Sequence, residues 1–175
     1  RHQVVRELRQ LVSDLHRELT EAQEELTMDY VPSLPLEGVD KEDIQRSFEG
    51  IIGDGREREL ALGTSQWGPH RDDLRLTVGG MEAANYASRG QARTLAVTLK
   101  LAEGTLLERE RGESPILLLD DVLSELDASR RWRLLEYVSR SQQAIVSTTD
   151  LDRIEKPFLS SASNFRVEKG NIIPI

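Results

Sequence analysis

Val4, Leu8, Leu11, Leu15, Leu19 and Ala22 recur at spacings of three and four, with Arg, Glu and Gln between them. That period puts the apolar side chains on one stripe and predicts a helix from the start to about Glu25. The stripe packs on a neighbouring helix or, because its spacing is nearly heptad, forms a coiled-coil arm. Leu26, Met28 and Tyr30 then alternate ahead of Pro32 and Pro35, which reads as a short strand and a turn-rich connection. Asp40 is placed to cap a second helix with Ile44, Phe48 and Ile51 inward, weakened by Gly53 and Gly55 before the charged Arg56 to Glu59 run. The stretch from Gly63 to Gly68 is the hinge at which the period changes.

Beyond the hinge, Leu74, Leu76 and Val78 alternate, Gly79-Gly80 supplies a tight turn, and Met81 and Ala83 begin a returning strand. Ser88 can cap a long helix with Leu95, Leu99, Ala102 and Leu106 inward, ending near Gly112. Pro115 precedes the apolar run Ile116 to Leu119, the pattern of a strand covered on both faces. A helix after Asp127, with Trp132, Leu135 and Val138 inward, leads to a second short strand at Ala144 to Val146. Strand, helix, strand in that order implies a right-handed crossover in a parallel sheet. Phe165, Val167, Ile172 and Ile173 around Lys169-Gly170-Asn171 predict a last hairpin.

Composition narrows the function classes. The 175 residues suffice for one domain with an appendage. No apolar run approaches the ~20 residues of a spanning helix, so no membrane role is expected. With no cysteine, disulfides and thiolate metal sites are excluded, and a reducing cytoplasm is permitted without being demanded. His2, His16 and His70 are too scattered to form a zinc cluster alone. A net charge of -8 means that any nucleic-acid contact is local or shared with further sequence. The absence of an initiator Met and the opening inside an amphipathic repeat suggest a fragment.

Two segments carry candidate chemistry. Asp120-Asp121 closes the apolar strand at its carboxyl end, where open α/β sheets place ligands and where adjacent carboxylates suit Mg²⁺. Alone, such a pair is ordinarily a helix cap or solvated acids. Ser88-Arg89-Gly90-Gln91 opens the long helix, where free N–H groups and the helix dipole favour an anion. Alone, it is an ordinary capped start. His70 and Arg71, beside Asp72 and Asp73, form either a salt-bridged turn or a nucleotide or DNA contact. Arg130, Arg131 and Arg133 solvate a helix face or meet DNA or a partner.

Order and spacing add to this. The capped Gly-containing helix start, the strand ending in Asp120-Asp121 and the segment Leu123-Ser124-Glu125-Leu126-Asp127 resemble the downstream half of an ABC-type ATPase. Gly68-Pro69-His70-Arg71-Asp72-Asp73-Leu74, Ala87 to Gln91 and Leu117 to Asp127 together resemble the bacterial RecF recombinational-repair family, C-terminal half. The fold so implied is α/β, part of an ABC/SMC-type P-loop ATPase with parallel core strands flanked by helices. Residues 1–62 would be a fragment of a helical arm subdomain, and 63–175 the C-terminal lobe of the ATPase domain.

The resemblance also implies roles. Asp120 would help hold Mg²⁺, and Asp121 would position or polarise the attacking water, where many relatives use Glu. Ser88, Arg89, Gly90 and Gln91 would be the signature motif, contacting ATP held by the other subunit of an ATP-dependent homodimer. Ser124 and Asp127 would belong to the dimer-facing D-loop, and Thr149 would sit at the switch position as a γ-phosphate sensor. The implied partners are DNA at gaps or single-strand/duplex junctions, a RecR-type mediator and the RecA recombinase.

No Gly-x-x-x-x-Gly-Lys-Ser/Thr pattern occurs, so ATP and Mg²⁺ binding are expected to need an N-terminal half, and this stretch alone is expected to be inactive. Two other classes compete. One is a non-enzymatic interaction module whose acidic pair is structural. The other, a phosphoacceptor receiver, fits badly because its acidic pair belongs at the first strand.

Overall fold

The computed structural model describes residues 1–36, 38 and 40–175. Helix α1 (His2–Leu19) turns Val5, Leu11, Val12, Leu15 and Leu19 inward, close to the predicted stripe. It stops at Thr20, short of Glu25, because the chain enters a left-handed pair at Glu21 (φ 52) and Ala22 (φ 59). The N–H of Ala22 bonds Arg17 O at 2.8 Å and that of Glu21 bonds Glu18 O at 3.4 Å, the pattern of a Schellman ending. Ala22 therefore leaves the stripe.

Strand β1 (Leu26–Val31) pairs antiparallel with β2 (Asp73–Val78), Met28 opposite Leu76. Between them runs α2 (Lys41–Leu62), which continues through Gly53 and Gly55 and ends at Gly63 in left-handed geometry. Most of its surface is exposed. Gly55 is its one buried residue, so close to Trp67 that an added Cβ would lie 2.2 Å from the ring. At Gly79-Gly80 both φ values are positive, 56 and 80, as a tight hairpin turn requires, and β3 (Met81–Glu82) returns. Ala83, expected in that strand, instead opens the short helix α3 (Ala83–Tyr86).

The long helix α4 (Arg89–Arg111) buries Leu95, Leu101, Ala102 and Leu106 and packs along α1. Val12, Leu19, Leu26 and Met28 share one core with Leu101, Leu123, Leu134 and Leu135. That core and the β1–β2 pairing cross the division expected between residues 1–62 and 63–175.

Strand β4 (Leu117–Asp120) lies parallel to β5 (Ala144–Ser147), joined by α5 (Ala128–Ser139), as the strand–helix–strand order predicts. Leu119 joins the core, but Leu118 is 71% exposed and Ile145 55%, which corrects the expectation of strands covered on both faces. Trp132 is also exposed; α5 turns Leu134, Leu135 and Val138 inward instead, the stripe that faces the core. The chain closes with α6 (Lys156–Ser161) and the predicted hairpin of β6 (Phe165–Glu168) and β7 (Asn171–Pro174). Among the described residues no helix is long and apolar enough to cross a membrane.

Candidate functional site at the carboxyl edge of the parallel strands

Parallel register sets the ends of β4 and β5 side by side, with Asp120 opposite Ser147. The Ser147 hydroxyl donates to Asp120 Oδ1 and accepts the Asp121 N–H at 3.0 Å. Asp121 then turns the chain through left-handed backbone (φ 48, ψ 25) into a 3₁₀ turn, Val122–Glu125. The Ser124 hydroxyl donates back to Asp121 O at 2.9 Å. Both carboxylates are exposed. Thr149, just past β5, lines a cleft of about 180 Å³ with Leu123, Ser124 and Arg131. Arg131 Nη1 donates to Leu123 O and Leu126 O at 3.3 and 3.1 Å and so fixes the turn that carries Ser124. Asp120, Asp121, Ser124 and Thr149 are thus gathered at one edge. Among the described residues no group of three or more His, Cys, Asp or Glu forms a self-sufficient metal cage.

Ser88 to Gln91 form the start of α4 with a reciprocal cap. The Ser88 hydroxyl accepts the Gln91 N–H at 3.2 Å, and the Gln91 side chain accepts the Ser88 N–H at 2.9 Å. The cap leaves the Ser88 O–H available as a donor, with the first-turn N–H groups of Arg89 and Gly90 beside it. Arg89 is exposed and makes no ion pair among the described residues. One turn on, Arg93 pairs with Glu125, which pushes its pKa further up; the nearby Asp121 acts in the same direction. Asp127 caps α5 by accepting the Arg130 N–H at 2.9 Å.

His70 and Arg71 are not brought to that edge by any bond. Arg71 donates to Ser65 O and Thr64 Oγ1, both at 3.1 Å, and so braces its own turn, while His70 is exposed. The neighbouring Asp72 is the better-connected group. It accepts the Ser33 N–H at 2.8 Å, the Ser33 hydroxyl at 3.0 Å and the Tyr30 hydroxyl. Burial opposes its ionisation, but hydrogen bonds from Ser33 and Tyr30, with Arg1 nearby, hold its pKa below 3.8. Tyr30 is raised above 10.0, first by burial and then by bonding to Asp72.

Sequence reasoning passed over Ser147 as an acid partner and the bridge that Arg130 makes to Glu24 at 2.7 Å. Ser147 was findable: two parallel strands that both end in polar residues bring those residues together. Glu24, in the connection after α1, carries no local signal.

Parallel strands joined across a helix, closing on adjacent acids and preceded by a long capped helix, make this chain part of an ABC/SMC-type P-loop ATPase fold. An SMC ATPase structure shares that fold at a TM-score of 0.55 and 13% identity, over 99% of this chain and 86% of the other. No family model matches the chain. It is 42% identical to the DNA replication and repair protein RecF of Staphylococcus epidermidis, over 99% of this chain and 47% of that protein. The Staphylococcus aureus RecF is also 42% identical, over 97% of this chain and 46% of its own length. A solved structure of the recombination mediator protein RecF with ATP in the RecFOR pathway matches at 31% identity and a TM-score of 0.77, over 99% of this chain and 45% of the other. The chain is similar to RecF proteins along nearly all of its own length, and it spans about half the length of the relatives it matches.

Proposed function

We propose that the whole protein is a DNA repair ATPase of the RecF type, which dimerises with ATP on DNA and of which this chain supplies one half of each nucleotide site. The observation that carries the reading is the strand edge where Ser147 bonds both Asp120 and the Asp121 N–H, while Ser124, bonded to Asp121 O, lines a cleft with Thr149. Its relatives' description as replication and repair proteins and the ATP-bound relative support it.

In this reading Asp120 holds Mg²⁺, for which the residues are suitable: hard oxygen donors, exposed, with one oxygen oriented by Ser147. Bound Mg²⁺ neutralises phosphate-oxygen charge, as phosphoryl transfer requires. Asp121 positions or polarises the attacking water, over the shorter reach that Asp has compared with Glu. Thr149 donates its hydroxyl towards the γ-phosphate from across the cleft. Ser88, Arg89, Gly90 and Gln91 meet the nucleotide of the other subunit through the Ser88 O–H, the free N–H groups and the Arg89 charge. Ser124 and Asp127 face the partner as the D-loop.

The remaining roles follow the family. The protein acts in the cytoplasm at gaps or single-strand/duplex junctions and assists RecA loading through a RecR-type mediator. Of the two regions expected from sequence, α2 alone serves as the arm, while α1 and β1 belong with the ATPase lobe. Arg71 braces its turn, and from that turn His70 and Arg71 contact nucleotide or DNA. The phosphate-binding loop lies in the other half of the protein, so this stretch alone does not turn over ATP.

The test uses the full-length protein. Asp120→Asn should abolish hydrolysis, and Ser88→Arg should block ATP-driven dimerisation while leaving nucleotide binding to the monomer. Turnover retained by both variants rejects the site.

A further inference from the structure

The signature-like helix start and the D-loop are joined through a buried charge that the function above leaves without a task. Glu24 Oε1 accepts Gln91 Nε2 at 3.1 Å and Arg130 Nη2 at 2.7 Å. Arg130 spends its other nitrogens on the two flanking segments. Its Nη1 donates to Thr94 Oγ1 at 2.9 Å, and that hydroxyl in turn donates to Gly90 O at 2.8 Å. Its Nε stands 3.3 Å from Asp127 Oδ2. The other oxygen of Glu24 meets His16 Nε2 at 3.2 Å, and His16 Nδ1 lies 3.3 Å from Thr98 Oγ1. A carboxylate only accepts, so the neutral ring is assigned its proton on Nε2. Side-chain exposure is 15% for Glu24, 16% for Arg130 and nil for His16.

A planar guanidinium with its donors committed in three directions fixes geometry better than a flexible point charge. Here the three directions are Gly90 by way of Thr94, the D-loop end at Asp127, and Glu24, which also grips Gln91. On the outer side the Arg93–Glu125 pair ties the same two segments again.

We propose that Glu24 and Arg130 are positioning residues: a strut that locks Ser88–Gln91 to Ser124–Asp127, so that both dimer-facing segments are presented to the opposite subunit as one rigid unit. This deepens the functional reading above and rests on it. Neither residue touches nucleotide. Each acts by fixing the spacing between two segments that must dock at the same time, since a site assembled from two surfaces is productive only when both are held in place.

The experiment compares full-length wild type, Glu24→Met, the double variant Glu24→Met/Arg130→Met, and Arg130→Lys. A buried ion pair exchanged for apolar residues of similar volume commonly keeps or gains stability, so the double variant separates folding from positioning. Thermal melting, binding of a fluorescent ATP analogue to the monomer, ATP-driven dimerisation and steady-state turnover are measured on each. The double variant is expected to melt like wild type and bind the analogue normally, yet to dimerise about 10-fold or more weakly and lose turnover in proportion. Wild-type dimerisation and turnover in the double variant would overturn the strut, because restored stability would then have been all that mattered. Should the double variant fail to fold, Arg130→Lys decides: its single ammonium keeps the charge but cannot span Glu24, Thr94 and Asp127. It is expected to show the same dimerisation defect, and wild-type coupling would overturn the proposal. A wild type that neither dimerises with ATP nor hydrolyses it sinks the functional reading itself, and the strut with it.

Discussion

Asp120 and Ser147 face each other at the carboxyl ends of paired parallel strands, and the serine hydroxyl that donates to the aspartate also takes the N–H of Asp121. One small group therefore orients the first acid and anchors the backbone of the second. Partners behind a metal ligand typically contribute ~10–100-fold to metal affinity or activity. Ser147→Ala in the full-length protein is expected to lower turnover by about that factor and to raise the Mg²⁺ requirement, with ATP-driven dimerisation preserved. Turnover measured across a Mg²⁺ titration reads both effects; an unchanged curve removes the orienting role.

Two glycines of α2 should respond to alanine with opposite signs. Gly53 has nothing within 4 Å of an added Cβ, so Gly53→Ala relieves helix entropy and should stabilise by ~0.5–1 kcal/mol. At Gly55 the same methyl meets the edge of the Trp67 ring, and the overpacking should cost ~1–3 kcal/mol. Denaturant midpoints of the two variants provide the comparison, and equal shifts would refute the packing of α2 on that loop.

Asp72 predicts an acid-side loss of stability. Its folded pKa lies below 3.8, so the unfolded chain binds the proton first. The contribution is complete above the unfolded value and disappears as pH falls through the depressed one. Asp72→Asn should flatten the acid limb of the stability profile and cost ~1–3 kcal/mol at neutral pH. Denaturation followed from neutral to acid pH checks it; a parallel, merely displaced profile would count against the Ser33 and Tyr30 bonds.

His16 acts at milder pH. Burial holds its pKa below 6.5, with Arg130 adding to the depression and Glu24 opposing it. The unfolded imidazole protonates first, so stability is full above about 6.5, declines as pH drops from there, and levels off below the native value. His16→Gln should remove that slope on the acid side of about pH 6.5. A slope that survives the substitution assigns it to another group.

Much of the architecture is legible in the chain because periodicity reports burial directly. The strands at Leu26 and Leu117, the cap at Ser88 and the crossover helix after Asp127 all follow from local pattern. The ending of α1 does not, since Glu21 and Ala22 adopt left-handed backbone without a glycine to announce it. Leu118 and Ile145 read as fully covered because a run of apolar residues cannot say which side its neighbours occupy. Of the candidate site, the acids and the helix start were visible as motifs. Ser147 becomes visible only through strand register, and Glu24 only through contacts spanning most of the chain, such as its bond to Arg130.

The left-handed kink at Asp121 bears on which side chains that position can host. Short polar residues tolerate such a backbone because they bond locally, whereas longer ones lose conformational energy there. Aspartate therefore suits this bend by its backbone preference alone, and a glutamate would be hosted here at a conformational cost.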